Sequence, residues 1–281
     1  METKTLDTLV EDIYSLMTTD SKDKIKEEDL SVFLKGVSNV VVSALSKREE
    51  KDGLRLSMVG QPDRKVWNRI NKTPMEELSG ATLIKFMYGS LLEELLIFLT
   101  KTAGHTVADE QATLFVDGVE GHTDGTIDGV LVDYKSASSF GFKKFKDGSV
   151  VNDDPFGYIA QLSSYAEAMG KTEAAFVAID KTTGELAVCN IHHMDMINAT
   201  NRIKDIKGFM NAEVPPPRCH APVADGKSGN MRLDTGCFYC DFKFSCWSDA
   251  NDGRGIRTFN YSNGPKHLVV VAETPKVEEL T

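Results

Sequence analysis

Gly121 to Ser136, GHTDGTIDGVLVDYKS, constrains this chain more than any other stretch. Asp128-Gly129 is a two-residue hairpin signal, because both residues tolerate the positive φ that a type I′ turn needs. Counting outward from that turn predicts the register. Ile127 faces Val130, Thr126 faces Leu131, Gly125 faces Val132, Asp124 faces Asp133 and His122 faces Lys135. Side chains alternate along a strand, so Asp124, Asp133 and Lys135 share one face. Opposed carboxylates on a hairpin lie roughly 5 Å apart at Cβ, and like charges there destabilise the pair. A divalent cation removes that cost, and hard oxygen ligands suit Mg²⁺ or Mn²⁺. Taken alone, the hairpin fits a solvated face with scattered charges equally well.

An Asp on one strand followed by Asp-x-Lys on the next resembles the core of the PD-(D/E)XK nuclease superfamily. Gly-His-Thr-Asp-Gly and Val-Asp-Tyr-Lys-Ser are similar to its RecB-type and phage-exonuclease branch. Two further motifs of that branch have counterparts here. Thr82 to Ala103 reads as a helix with Gly104 as its stop, and in it Gly89 and Glu93 lie four apart on one face. Glu93 matches the family's acidic position, with Glu94 as the fallback and a surface glutamate pair as the plain alternative. Downstream, Asp154-Pro155 reads as a helix start and Gly170 as its end. Gln161 and Tyr165 on that helix match the family's Gln-x-x-x-Tyr.

The resemblance implies an α/β fold: a restriction-endonuclease-like core with a central mixed sheet, flanked by the 82–103 and 155–169 helices. It also implies a Mg²⁺- or Mn²⁺-dependent deoxyribonuclease. Asp124 and Asp133 would bind the metal, with Glu93 as a direct or water-mediated ligand and the Tyr134 carbonyl as a further one. Lys135 would orient the water, while Gln161 and Tyr165 would support the site and the DNA strand. The branch points to an exonuclease in recombination, repair or phage DNA replication, with DNA and other recombination or replication proteins as partners. A CRISPR-adaptation-like end-trimming nuclease and a non-catalytic DNA-binding module of the same fold are the alternatives.

Four of the five cysteines fall between positions 219 and 246. Cys237-x-x-Cys240-x5-Cys246 suits thiolate ligation of Zn²⁺ or an iron–sulfur cluster. The trio resembles the iron–sulfur staple of RecB-type helicase-nucleases and CRISPR-adaptation nucleases, which implies a [4Fe–4S] cluster pinning the C-terminal segment, with Zn²⁺ as the alternative. The family's first cysteine is missing, because Gln61 stands there. Cys219 is the expected substitute, with His220 as a lesser one. Cys189 sits inside a predicted strand and reads as core.

The net charge of −10, from 42 acidic and 32 basic residues, argues against general electrostatic capture of nucleic acid but not against a nuclease, because metal ions and a local basic strip can offset the field at a site. A compact basic strip lies at Phe142-Lys143-Lys144-Phe145-Lys146, inside an expected loop from Ser136 to Asn152. Arg55 and Arg64 are further candidates for phosphate contact. No run approaches 18 apolar residues, so no membrane span is expected. The polar start is not a signal peptide. Together these predict a cytoplasmic protein, in the host cytoplasm if phage-encoded. The expected organisation is an N-terminal helical region (1–52), a nuclease core (53–214), a cysteine-rich metal-binding segment (215–250) and a tail (251–281).

Overall fold

The structure is a computed structural model that describes residues 4–46 and 52–280. Its longer helices are α1 (Leu9–Thr18), α2 (Glu27–Leu45), α3 (Asp63–Ile70), α4 (Gly80–Thr102), α5 (Ser139–Lys146), α6 (Tyr158–Met169) and α7 (Ala199–Phe209). The strands are β1 (Val107–Ala108), β2 (Thr113–Val116), β3 (Val119–His122), β4 (Gly125–Ile127), β5 (Val130–Ala137), β6 (Glu173–Asp180) and β7 (Leu186–His192). They continue with β8 (Val223–Ala224), β9 (Met231–Arg232), β10 (Arg257–Tyr261), β11 (Gly264–Val270) and β12 (Glu279–Leu280). Within the expected N-terminal helical region, 1–52, positions 1–3 and 47–51 lie outside the described residues. Contacts divide the chain into two units, 1–60 with 79–204 and 61–78 with 205–281. The segment carrying α3 thus belongs with the C-terminal part, a discontinuity that boundaries drawn along the chain do not contain.

The first unit is α/β, built on a mixed sheet in the order β1-β4-β5-β6-β7. β5 and β6 run parallel and the other neighbours antiparallel. Alternation along β5 splits the core in two. Leu131 packs with α5 and α6 residues such as Phe142, Phe145, Leu162 and Tyr165 on one face. Val132 and Tyr134 pack with Leu9, Ile13, Leu96 and Ile97 of α1 and α4 on the other. Each such aliphatic side chain contributes roughly 1.5–3 kcal/mol on full burial. That two-sided burial explains why VLVDY reads as a nearly continuous apolar run. The helices flanking the sheet include the two predicted from their end signals: Gly104 at φ +92° follows α4, and Gly170 at φ +63° closes α6. α4 starts two residues before the expected Thr82, because Ser79 caps it through the Thr82 N–H.

The turn is as predicted: Asp128 and Gly129 have φ of +50° and +85°, and Ile127, Thr126 and Gly125 pair with Val130, Leu131 and Val132. The pairing stops there, which corrects the expected register beyond it. Gly125 turns at φ +139° and the chain leaves the sheet. His122 pairs with Thr113 in a separate β2–β3 ribbon, not with Lys135. Two more expectations are corrected. Residues 136–152 are not a loop, because the strip that reads as basic folds as α5. There Phe142 and Phe145 are buried one turn apart, Lys143 and Lys146 are exposed, and Lys144 is ion-paired with Asp153. The helix expected to start at Asp154-Pro155 starts at Tyr158, since Gly157 at φ +78° breaks the path. Asp154 instead accepts the Gly157 and Ile159 N–H groups at 2.9 and 2.8 Å.

The second unit holds an antiparallel sheet in the order β12-β10-β11-β9-β8, so residues 257–280 of the expected tail supply three of its strands. Its small core is Leu233, Cys237, Trp247, Ala250 and Val269. Among the described residues no helix is long and apolar enough to cross a membrane.

Candidate active site and thiol cluster

β4 pairs with β5 only up to Val132, so the edge of β5 from Asp133 onward is left without a β4 partner. Side chains from both faces of the sheet converge on that open edge. Asp124, just outside β4, accepts the Tyr134 N–H through Oδ2 at 2.9 Å, replacing a ladder bond. It therefore reaches the site by capping the strand and not as the expected cross-strand partner of Asp133. Asp133 is 1% exposed and ion-paired with Lys135 two residues along the same face.

Glu93 arrives from α4. A Cβ at Gly89 would stand 3.2 Å from the Ser136 Oγ, so the small residue lets α4 cross close to β5, and Glu93 follows one turn later. Glu94 points elsewhere: its carboxylate lies on Gly36 of α2, where a Cβ would meet Oε2 at 2.1 Å. From α6, Gln161 donates to Asp133 Oδ1 at 3.4 Å and to the Tyr165 hydroxyl at 3.1 Å. The structure therefore brings together Glu93, Asp124, Asp133, Tyr134, Lys135, Gln161 and Tyr165.

The electrostatics follow from burying several like charges. Burial first, then Asp133 and Glu94, push the Glu93 carboxyl up to about 7. Burial, Asp133 and Glu93 hold Asp124 well above the usual carboxylate range. Burial works against the Lys135 ammonium, but Asp133 and Asp124 outweigh it and raise its pKa. Mutually repelling carboxylates around a lysine suit a hard divalent cation by donor chemistry. Among the described residues, no group of three or more His, Cys, Asp or Glu side chains is closed around a point tightly enough to hold one as it stands.

Tyr158 was missed by sequence reasoning. Its ring lies under Lys135, with Nζ 4.7 Å from the centroid. Proximity to the Gln-x-x-x-Tyr motif was the only signal that pointed toward it. Arg55 is taken up by Glu120 and His122 at 3.6 and 3.4 Å, and in the other unit Arg64 donates to the Pro216 carbonyl at 2.9 Å.

In the second unit, Cys219, Cys237, Cys240 and Cys246 line one cavity of about 30 Å³ beside Arg64, Lys65 and Trp247. Burial raises the Cys219 and Cys240 thiols, and pushes Cys237 up to about 11. Hydrogen-bond donors around them offset part of that burial. Backbone N–H groups of Lys65 and Arg64, in the first turn of α3, point at Cys219, and that of Phe242 points at Cys240. The buried Trp247 Nε1 beside Cys237 has no oxygen or nitrogen acceptor. These donors fit ligated thiolates. Cys189 is buried in β7 and packs in the first unit's core. His220 lines the same cavity.

No family model matches the chain, and no curated protein does. Among solved structures, it is similar to SSO0001 at 14% identity and a TM-score of 0.43, covering 75% of this chain and 94% of that one. It is also similar to an alkaline exonuclease (LHK-Exo) from Laribacter hongkongensis, at 14% identity and a TM-score of 0.37, covering 56% and 89%. The same exonuclease in complex with dAMP gives 13% and 0.33, covering 55% and 91%. Likenesses this weak assign no role to any residue of the site.

Proposed function

We propose that the first unit hydrolyses DNA phosphodiester bonds with a divalent metal. The observation that supports this is the convergence of Glu93, Asp124 and Asp133 with Lys135 at the open edge of β5, in the motif order that resembles PD-(D/E)XK nucleases. Asp124 and Asp133 would hold Mg²⁺ or Mn²⁺, with Glu93 and the Tyr134 carbonyl as further ligands. When bound, the cation supplies an activated water and stabilises charge on the phosphate. Lys135 is fixed between Asp133 and the Tyr158 ring, where its ammonium can orient that water and steady negative charge in the transition state. Gln161 holds Asp133 in place and is itself backed by Tyr165.

In the second unit the four cysteines would hold one structural centre, a [4Fe–4S] cluster or Zn²⁺. It would tie α3 to the Cys237–Cys246 segment, since Cys219 lies at the α3 N-terminus. An exonuclease acting in DNA recombination, repair or replication is the reading the motifs favour.

The test is purified protein with Mg²⁺ or Mn²⁺ and labelled linear, nicked and circular DNA. Cutting that is lost in Asp133→Ala and in Lys135→Ala is expected, with ends required if it is an exonuclease. Wild-type protein that binds DNA yet never cuts it would leave only the non-catalytic module.

A further inference from the structure

A file of aromatic rings runs from the core of the first unit to its surface, passing Lys135. Phe176 and Phe145, both buried, meet edge-on with centroids 5.4 Å apart. Tyr158 lies 6.3 and 6.1 Å from them. Phe156 stacks on Tyr158 at 5.4 Å with an interplanar angle of 30°. Phe156 is 61% exposed, so Tyr158 backs one side of its ring and water meets much of the rest.

The turn that presents Phe156 is held rigidly. Asp154 accepts two N–H groups from it, as described above. Gly157 lies so close to the Gly60 backbone that a Cβ on either residue would meet the other's backbone at 2.2–2.7 Å. A lone exposed apolar residue is ordinary. A ring held outward on a braced turn, and joined through one stacked partner to the lysine of the candidate site, is positioned to receive a flat ligand.

We propose that Phe156, backed by Tyr158, is a stacking platform for an unpaired base at the end of the DNA strand being cut, and so positions the adjoining phosphate near Lys135. The proposal rests on the nuclease reading and deepens it by naming an unstacked strand end as the bound form. Stacking on an aromatic ring is tolerant of sequence, because every base has a π-face. It also suits a chain whose net charge of −10 gives little general attraction for phosphate.

The test uses Asp133→Ala protein, so that cutting does not interfere, and oligonucleotides carrying 2-aminopurine at the 5′ or the 3′ end. Binding should quench the fluorophore at one end, and adding Phe156→Ala should abolish the quench and weaken affinity about tenfold, the worth of one stacked base. Phe156→Trp should preserve both, whereas Phe156→Leu, which keeps bulk but no ring, should not. In the active protein Phe156→Ala should raise KM with a smaller change in kcat, and its melting temperature should fall by no more than a few degrees, because only the side of the ring stacked on Tyr158 is packed. Unchanged quenching and affinity in Phe156→Ala, in protein that binds DNA, would overturn the platform and leave the nuclease reading standing. Quenching that depends on Phe156 in a protein that never cuts would do the reverse. Protein that binds no DNA overturns both.

Discussion

Gly157→Ala should destabilise the first unit far more than a glycine substitution of the same backbone class elsewhere on the same helix. Gly157 precedes α6 at φ +78°, and Gly170 ends it at φ +63°. For an L-residue the left-handed conformation costs roughly 1–2 kcal/mol, and both substitutions incur that. Only Gly157 adds a collision. Its Cβ would stand 2.3 Å from the Gly60 carbonyl oxygen, so the strands of backbone must part by 3.4 − 2.3, or 1.1 Å, to reach ordinary contact. Around Gly170 nothing lies within 4 Å. Forced expansion of a packed contact costs about 1–3 kcal/mol. Gly157→Ala should therefore lose about 2–5 kcal/mol and Gly170→Ala about 1–2. At ~2–4 °C per kcal/mol for a domain of this size, the two variants should melt several degrees apart. Calorimetry of both beside the wild type measures this. Equal melting temperatures for the two variants would refute the close Gly60–Gly157 approach, and with it the braced turn that presents Phe156 and Tyr158.

Three further outcomes are expected. Glu93→Gln should lower metal-dependent cutting at least ~100-fold, as loss of a transition-state electrostatic group does, while Glu94→Gln retains most of it, because Glu94 faces Gly36; parallel assays on one DNA substrate decide this. Burial, with Lys243 nearby, holds His267 below its usual value, so the unfolded chain takes up its proton first and the second unit should lose stability as pH falls below about 6.5. Denaturant unfolding from pH 7.5 to 5.5 should show that loss, and His267→Gln should flatten it. Finally, Cys237→Ser should strip bound metal and lower thermal stability, while Cys189→Ser leaves metal content unchanged. Anaerobic preparation with iron, sulfide and zinc analysis reads this, and stable wild-type protein carrying neither metal would remove the centre from the account.

Several features of this protein were legible in its residues because their causes are local. Asp128-Gly129 specifies its own turn through positive φ, and three pairs of register follow by counting. Gly170 stops α6 where it stands in the chain, and Gly104 stops α4 for an equally local reason. The four-residue spacings of Gly89 to Glu93 and Gln161 to Tyr165 are helix geometry, readable before any tertiary contact exists. The tertiary structure alone decided where the hairpin stops. Gly125 turns the chain into a second ribbon, so Asp124 reaches the site by capping the Tyr134 N–H and not by facing Asp133. It also decided that the strip at 142–146 becomes α5, since Phe142 and Phe145, one turn apart, both bury in the core there. The preference for Glu93 over Glu94 came from its spacing after Gly89; the tertiary structure added that Glu94 lies against Gly36 of α2 and that Gly89 lies against Ser136 of β5. The same holds for the union of the 61–78 segment with the C-terminal part, and for Tyr158 beneath Lys135. Such placements depend on which distant surfaces bury one another, and local spacing carries no record of that choice.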